Sequence, residues 1–215
     1  MRGRKLLVVA CFLLIGSRIV YSQDPQTILK EATDSSFMCS FKAQKADLDK
    51  NGHPINWEPL TKDDLETVDK MSLKVLLRQN RFEVAGNHLV DKWSPTTTLL
   101  SFWPKPNQQQ LKQYPGESKN VNRALNNLKG TVEISRNPLG ITKVEAELEP
   151  ESLTFFFVYT LESLHIKVDQ NLVAGKWQPT NFEMTASGRR RNLLGRLISF
   201  YRRYTATFDC SSLAE

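Results

Sequence analysis

The stretch that determines the fold class is LTFFFVYTLESLHIKV, residues 153–168, the longest apolar run outside the N-terminus. Its first half groups three phenylalanines with a valine and a tyrosine, and its second half alternates apolar Leu164, Ile166 and Val168 with polar neighbours. Aromatic and β-branched residues at a period of two are typical of β-strands. We therefore expect strand structure that is buried on both faces in the first half and on one face in the second.

Segments of the same type lie on both sides of this stretch. SFMCSFKA, residues 36–43, alternates apolar and polar side chains, and residues 71–77 and 81–90 predict two strands joined near Gln79-Asn80. Beyond Gly130, short strands alternate with turns; the strands are TVEIS, ITKVEAEL, LVAGKW and NFEMTA, and the turns are 137–140, 149–150 and 169–171. This spacing predicts a mainly β fold, an antiparallel sandwich, prism or barrel.

The remaining segments predict little regular structure. Residues 120–128 favour a short helix, residues 61–70 a short helix or an acidic loop, and residues 23–34 a single helical turn or a loose lead-in. Residues 93–116 contain four prolines and three large aromatic residues besides Tyr114. They predict a long Pro/aromatic loop, either packed over the core or exposed for binding.

The N-terminus has the features of a secretory signal peptide. Met1–Lys5 is basic, Leu6–Gly16 is apolar but too short to span a bilayer, and Val20 and Ser22 are small residues that suit cleavage before Gln23. We expect residues 1–22 to be removed. Residues 23–215 are then expected to form a single β-rich domain that is secreted to the extracellular space.

The net positive charge of the chain is due to two segments. The formal net charge of +6 falls to +2 without the four basic residues of the signal peptide. It falls to −4 without the arginines of residues 189–203, a segment that has no acids; these are Arg189, Arg190, Arg191, Arg196, Arg202 and Arg203. A basic face of the kind that binds nucleic acid is therefore not expected.

The arginine-rich segment GRRRNLLGRLISFYRR, residues 188–203, is open to three interpretations. Its apolar residues recur at helical spacing, which describes a basic amphipathic helix able to lie on an anionic membrane. The run of arginines at 189–191 could also be a processing site. We favour the third interpretation, an arginine-rich hairpin end that leads into a closing strand, because charge runs are usually solvated faces.

Two cysteines remain after removal of the signal peptide, Cys39 and Cys210. Both stand in strand-like contexts near the ends of the mature domain, and an oxidising compartment favours their pairing. We expect a disulfide bond between them.

Residues 47–58, DLDKNGHPINWE, satisfy the spacing of a calcium-binding loop. Asp47, Asp49, Asn51 and Glu58 would supply oxygen ligands. However, Pro54 lacks the N–H that such loops use, and the incoming flank predicts a strand instead of a helix. The alternative, which we favour, is a polar hairpin turn at Asn51-Gly52. No other cofactor is indicated.

No catalytic motif is present, so we expect a protein that is not an enzyme. The leading hypothesis is a secreted binding protein that carries an apolar ligand in its β-core, with Phe155, Phe157, Tyr159 and Trp177 as candidate ligand-binding residues. The alternative is an extracellular module that binds a protein partner or has a structural role, and the third hypothesis is a membrane-active role for residues 188–203.

Two fragments resemble known families. Residues 138–175 are similar to part of the takeout and juvenile-hormone-binding carriers of insects, although this chain lacks their early cysteine pair and long C-terminal helix. The ending YTATFDCSS resembles the last strand of the lumenal β-prism of lysosome-associated membrane glycoproteins and of a proton-pump accessory subunit, which continue into a membrane span. Each resemblance covers less than a fifth of the chain, and neither implies a site residue.

Overall fold

The computed structural model describes residues 24–34, 40–61, 73–77, 81–89, 96–105, 119–149, 152–155, 159–192 and 194–209. These ranges contain three helical segments and ten strands. In chain order the elements are α1 (Pro25–Asp34), β1 (Ser40–Leu48), β2 (Pro54–Pro59), α2 (Leu73–Leu76), β3 (Phe82–Leu89), β4 (Thr97–Pro104), α3 (Lys119–Leu125), β5 (Leu128–Arg136), β6 (Leu139–Leu148), β7 (Leu153–Phe155), β8 (Tyr159–Val173), β9 (Lys176–Arg191) and β10 (Leu197–Asp209).

All ten strands belong to one antiparallel sheet, so the prediction of a mainly β, antiparallel fold is confirmed. Neighbouring strands follow the order β2-β1-β10-β9-β8-β6-β5-β4-β3, and β7 pairs with the start of β8. The sheet is open in the described part of the chain, because β2 and β3 stand at its two ends and do not pair with each other. This arrangement is consistent with a sandwich or prism.

The stretch 153–168 lies at the centre of the sheet, but it is not one strand. It forms the short strand β7 and, after residues 156–158, the first part of β8, and the two are antiparallel with Phe155 opposite Tyr159. β8 then continues to Val173, so the turn predicted at residues 169–171 is wrong. The turn lies at Ala174 and Gly175, whose φ angles of 48° and 77° match the two-residue hairpin turns that suit the twist of a sheet.

One face of the sheet is apolar and forms the core. Along β8 the alternation places Leu164, Ile166 and Val168 on this inner face, each no more than 5% exposed. Their cross-strand partners in β9 have the same character, since Ile166 is opposite Met184 and Val168 is opposite Phe182. Burial of alternate side chains therefore fixes which face each strand turns inward.

Helix α1 packs against the inner face, where it contacts β3 and β6. The prediction of a single turn or a loose lead-in for this segment is wrong. Asp24 accepts a hydrogen bond from the Thr27 backbone N–H and is followed by Pro25, which is the combination that starts a helix. Ile28, Leu29 and Ala32 then fall on one helical face and are buried in the core.

Two further segments differ from the sequence predictions. Residues 73–76 form helix α2 where a strand was expected, and Leu73, Leu76 and Leu77 are buried at helical spacing. Short apolar runs of this kind do not distinguish helix from strand. The segment predicted as a long Pro/aromatic loop contains strand β4, in which Leu100 and Phe102 alternate into the core and Pro104 stands at the strand end.

The outer face of the sheet carries charged side chains that pair with one another. Lys129 lies 3.5 and 3.2 Å from carboxylate oxygens of Glu147 and Glu149. Lys143 and Glu145, two residues apart on β6, form a similar pair. These exposed pairs contribute little to stability individually. Their charged side chains favour contact of this face with water, while the apolar face of the sheet is buried in the core.

Candidate functional site

Two sites predicted separately from the sequence meet at one end of the sheet. Tyr159, from the aromatic run, lies opposite Arg190, from the arginine-rich segment, and Arg190 lies opposite Ile198 of β10. Cross-strand partners share a face of the sheet, so all three side chains lie on the same face. We call this region, comprising Phe155, Tyr159, residues 188–203 and Arg123, the aromatic–arginine end.

Three aromatic rings form a continuous contact there. The ring centroids of Phe155 and Tyr159 lie 5.7 Å apart, and those of Tyr159 and Phe200 lie 5.2 Å apart with an interplanar angle of 20°. Phe155 is buried, whereas Tyr159 is 36% exposed. The ring cluster therefore extends from the core to the solvent.

Small and cationic residues position these rings. A Cβ atom added to Gly188 would lie 2.9 Å from two ring atoms of Phe200, so the ring occupies the space that glycine leaves. The guanidinium of Arg123 lies 5.4 Å from the ring centroid of Phe155, and its Nη1 donates a hydrogen bond to the Thr154 carbonyl oxygen. This distance is within the range of cation–π attraction.

The arginine-rich segment is a β-hairpin, so the amphipathic-helix interpretation is wrong and the hairpin interpretation is confirmed. Residues up to Arg191 belong to β9, and β10 begins at Leu197. Asn192 closes the turn, because its Oδ1 accepts hydrogen bonds from the backbone N–H groups of Leu194 and Arg196. Gly195, with φ of 75°, adopts the left-handed conformation that this turn requires.

The six arginines of the predicted basic patch fall into two groups. Three form ion pairs: Arg189 with Glu162, Arg202 with Asp47 and Arg203 with Glu183. The other three, Arg190, Arg191 and Arg196, are exposed and form no ion pair with the described residues. Excess positive charge at this end of the sheet is therefore carried by the hairpin itself.

The same hairpin exposes large apolar side chains. Leu194 is 78% exposed, Leu197 57% and Tyr201 51%, and Ile198 is exposed as well. With Tyr159, these residues make up half of the ten large hydrophobic side chains that are exposed in the described ranges. Such a concentration is uncommon on a surface that faces only water.

Burial changes the acidity of Tyr159. Partial removal from water raises its pKa from 10.0 to about 12, because the phenolate form is poorly solvated there. Arg202 and Arg190 act in the opposite direction, and their positive charges only partly offset the effect of burial. The Tyr159 hydroxyl therefore keeps its proton to a higher pH than an exposed tyrosine does.

The four residues of the calcium-loop pattern lie on the β1–β2 hairpin. Asp47 Oδ1 accepts a hydrogen bond from Arg202 Nε at 2.9 Å. Asp49 Oδ1 accepts hydrogen bonds from the backbone N–H groups of Asn51 and His53, both at 2.8 Å, and the bond from His53 lowers the pKa of the Asp49 carboxyl. Glu58 lies further along β2, opposite Lys45.

This geometry is that of a hydrogen-bonded polar turn. The Asp49 backbone N–H donates to the His53 carbonyl oxygen, and Gly52 has φ of 81°. Among the residues that the structure describes, no group of three or more histidine, cysteine, aspartate or glutamate side chains could hold a metal ion. In this structure Asp49 therefore stabilises the turn through its hydrogen bonds, and Asp47 holds the side chain of Arg202.

Trp177, a further candidate ligand-binding residue, is not brought to the aromatic–arginine end. Trp177 lies near the opposite end of β9, where it is buried against Gly140: a Cβ added to that glycine would lie 2.0 Å from two atoms of the indole ring. Phe157, Cys39 and Cys210 lie outside the described residues. Trp177 therefore contributes to packing, and of the candidate ligand-binding residues that the structure describes, Phe155 and Tyr159 contact one another.

A second surface feature lies on the outer face of the sheet. It is an open groove of about 460 Å³ between β4, β5, β6 and β8. Trp103, Lys129, Glu147 and His165 are among its lining residues. Because Lys129 is already paired with carboxylates and the groove is open to water, we regard it as part of the solvated outer face.

Sequence reasoning missed three residues of the site. Phe200 and Gly188 were assigned to an arginine-rich segment without a role, and Arg123 stood in a predicted helix far away in the chain. The pairing of β8, β9 and β10 brings Gly188 and Phe200 close to Tyr159, whereas Arg123 of α3 reaches Phe155 and the Thr154 carbonyl oxygen of β7. No local alternation marks Phe200, because Ile198 and Phe200 are flanked by Leu197 and Tyr201 as well as by Ser199.

Comparison with known proteins adds no assignment. No protein-family model, no curated protein and no solved structure matches this chain. In the described ranges, none of the helices has the length and apolar character needed to cross a bilayer.

The raised pKa of Tyr159 predicts a specific alkaline behaviour. The folded protein holds this proton more tightly than the unfolded chain, so Tyr159 stabilises the fold fully below about pH 10, and this contribution is lost as the pH rises through about 12. Tyr159→Phe should therefore remove the last tyrosinate absorbance step and make unfolding less dependent on pH in that interval. Tyr201→Phe, at an exposed position, is the control; an unchanged late step in Tyr159→Phe would contradict the assignment.

Proposed function

We propose that this protein is an exported, non-enzymatic binding protein that binds amphipathic anionic ligands at the aromatic–arginine end. The single observation that carries the proposal is the register that places Arg190, which forms no ion pair with the described residues, opposite Tyr159, whose ring stacks on Phe200. Apolar rings favour a hydrocarbon chain, and guanidinium groups favour a carboxylate or phosphate.

The proposal places the ligand at the surface and not in the β-core. The inner face near the centre of the sheet is filled by its own side chains, since Leu100, Val132, Ile141 and Ile166 are fully buried against their neighbours. At the aromatic–arginine end the apolar side chains are instead partly exposed. Binding there requires no rearrangement of the core.

Export and a disulfide bond are part of this proposal. The support for export is the N-terminal pattern of residues 1–22. The support for the disulfide is the pairing of Ser40 with Asp209 in the β1–β10 ladder, because Cys39 precedes the first and Cys210 follows the second. A bond closing so long a loop would stabilise the fold by about 4–5 kcal/mol in chain-entropy models.

Non-reducing peptide mapping tests this covalent link. We expect one peptide pair joined through Cys39 and Cys210 in protein purified from the exported fraction, and we expect the pair to separate on reduction. Two free thiols in that material would contradict the link without affecting the proposed ligand site.

Titration with dodecyl phosphate below its micelle concentration tests the binding function. Amide chemical-shift changes should cluster at residues 155, 159, 188–190 and 198–200. Arg190→Gln should weaken binding about tenfold, the equivalent of about 1.4 kcal/mol, because a charge-assisted contact is lost.

Lys176→Gln serves as the control, because Lys176 is a cation at the opposite end of β9 and its loss should leave the affinity unchanged. Shifts confined to the outer groove, or no saturable shifts at all, would contradict the proposed function.

A further inference from the structure

We infer that the ligand of the aromatic–arginine end is presented by a membrane, and that the β9–β10 hairpin inserts its turn into the headgroup region of a bilayer that contains anionic lipids. The inference rests on the proposed function and names its partner. It follows from the position of the hairpin in the sheet, from the faces on which its apolar side chains lie, and from its charge.

The end of the hairpin extends past the pairing with its described neighbours. The last pair that joins β1 to β10 is Asp47 with Arg202, so residues 197–201 of β10 are paired only with β9 in the described part of the chain. On the other side, the pairing of β8 with β9 reaches no further than Tyr159 and Arg190. The Leu197–Arg191 pair and the turn between them therefore extend past the described neighbouring strands.

Apolar side chains lie on both faces of this projection. Strand alternation places the exposed side chains of Leu197 and Tyr201 on one face and that of Ile198 on the other, with Leu194 in the turn. Phe200 shares the face of Ile198 but packs against the core. Docking against a flat protein surface would bury only one of these faces. Insertion into an apolar phase surrounds both faces at once, which favours a bilayer as the partner.

Arginines accompany the apolar residues at the tip of the hairpin. Leu197 lies opposite Arg191, Ile198 lies opposite Arg190, and Arg196 lies in the turn. Long arginine side chains can bury their apolar stems while the guanidinium stays at the level of the phosphates. Since residues 189–203 contain no acidic side chain, this end complements an anionic lipid surface.

The turn keeps its shape without a partner. Asn192 accepts two backbone hydrogen bonds across it, and the Asn192 N–H donates to the Arg196 carbonyl oxygen at 2.9 Å. A preformed turn loses less conformational freedom on binding than a disordered segment. The exposed Leu194 is therefore already in position to enter the interface.

Co-sedimentation with lipid vesicles tests this inference on the mature, oxidised protein. We expect binding to vesicles that contain phosphatidylglycerol, little binding to pure phosphatidylcholine, and weakening as salt is added. The triple variant Arg190→Gln/Arg191→Gln/Arg196→Gln should lose about a hundredfold in affinity, at about fivefold per arginine near an anionic surface. Lys30→Gln/Lys42→Gln/Lys176→Gln removes the same charge elsewhere and should bind nearly as the natural chain does.

Apolar insertion is tested separately. Leu194→Ser/Leu197→Ser/Ile198→Ser should lose at least about tenfold in affinity for the anionic vesicles. The matched control is Leu172→Ser/Val173→Ser, because those side chains are similarly exposed at the opposite end of β8. Circular dichroism of each variant confirms that the sheet is retained.

Each outcome decides between the two proposals. Binding of dodecyl phosphate together with equal partitioning to both vesicle types would overturn the membrane inference and leave the proposed function intact, whereas binding of neither would overturn both. Vesicle binding that survives the arginine and apolar variants would show that another surface docks. If the serine variant dissociates a self-associated form and vesicle binding is unchanged, the hairpin binds a second copy and the inference fails.

Discussion

The ladder between β8 and β9 is the constraint on which the rest of the structure depends. It runs from Tyr159 opposite Arg190 to Val173 opposite Lys176, and the Ala174-Gly175 turn closes it. Every other strand is placed relative to this pair, since β6 and β7 add to β8 and β10 adds to β9. The register of this one ladder decides which side chains enter the core and which rings and arginines meet at its far end.

The β8–β9 ladder contains a β-bulge near the aromatic–arginine end. The pairing shifts between Leu161 and Ser163, where Glu162 is the additional residue, and Glu162 forms an ion pair with Arg189. A bulge changes the direction of side chains locally and increases strand twist. Beyond the bulge, towards the hairpin, exposed apolar residues and unpaired arginines replace the charge-paired outer face, so the end of the sheet differs in chemistry from its centre.

The free edge of the sheet at β2 shows that exposure alone does not make a docking surface. Ile55 and Trp57 are exposed there, but the strand is short, proline stands at both ends, and Asn56 has φ of 50°. These features oppose the addition of another strand. The end of the β9–β10 hairpin has no such protection, because it contains no proline and no bulge, and Leu197, Ile198 and Tyr201 are exposed on its regularly paired strands.

The sequence predicted the parts of the structure that depend on local pattern. Alternation located β5, β6 and the long central strands, and the turn chemistry of Asn51-Gly52 located the β1–β2 hairpin. The sequence prediction was wrong for α2, because a short leucine run suits either helix or strand. It was also too short for α1, although Asp24-Pro25 is a local signal for the start of a helix. The site could not be predicted as one unit, because its residues come from distant parts of the chain. Arg123 meets Phe155, and Tyr159 meets Phe200, only in the folded structure.

The central claim is the register that places Tyr159 opposite Arg190 and against Phe200, and nuclear Overhauser effects measure it most directly. The account predicts backbone contacts between Tyr159 and Arg190, contacts between Arg190 and Ile198, and contacts between the ring protons of Tyr159 and Phe200. A slip of one residue would move Tyr159 to the other face of the sheet and away from Phe200. Backbone contacts from Tyr159 to residue 189 or 191 in place of 190, with no ring contact to Phe200, would contradict the account.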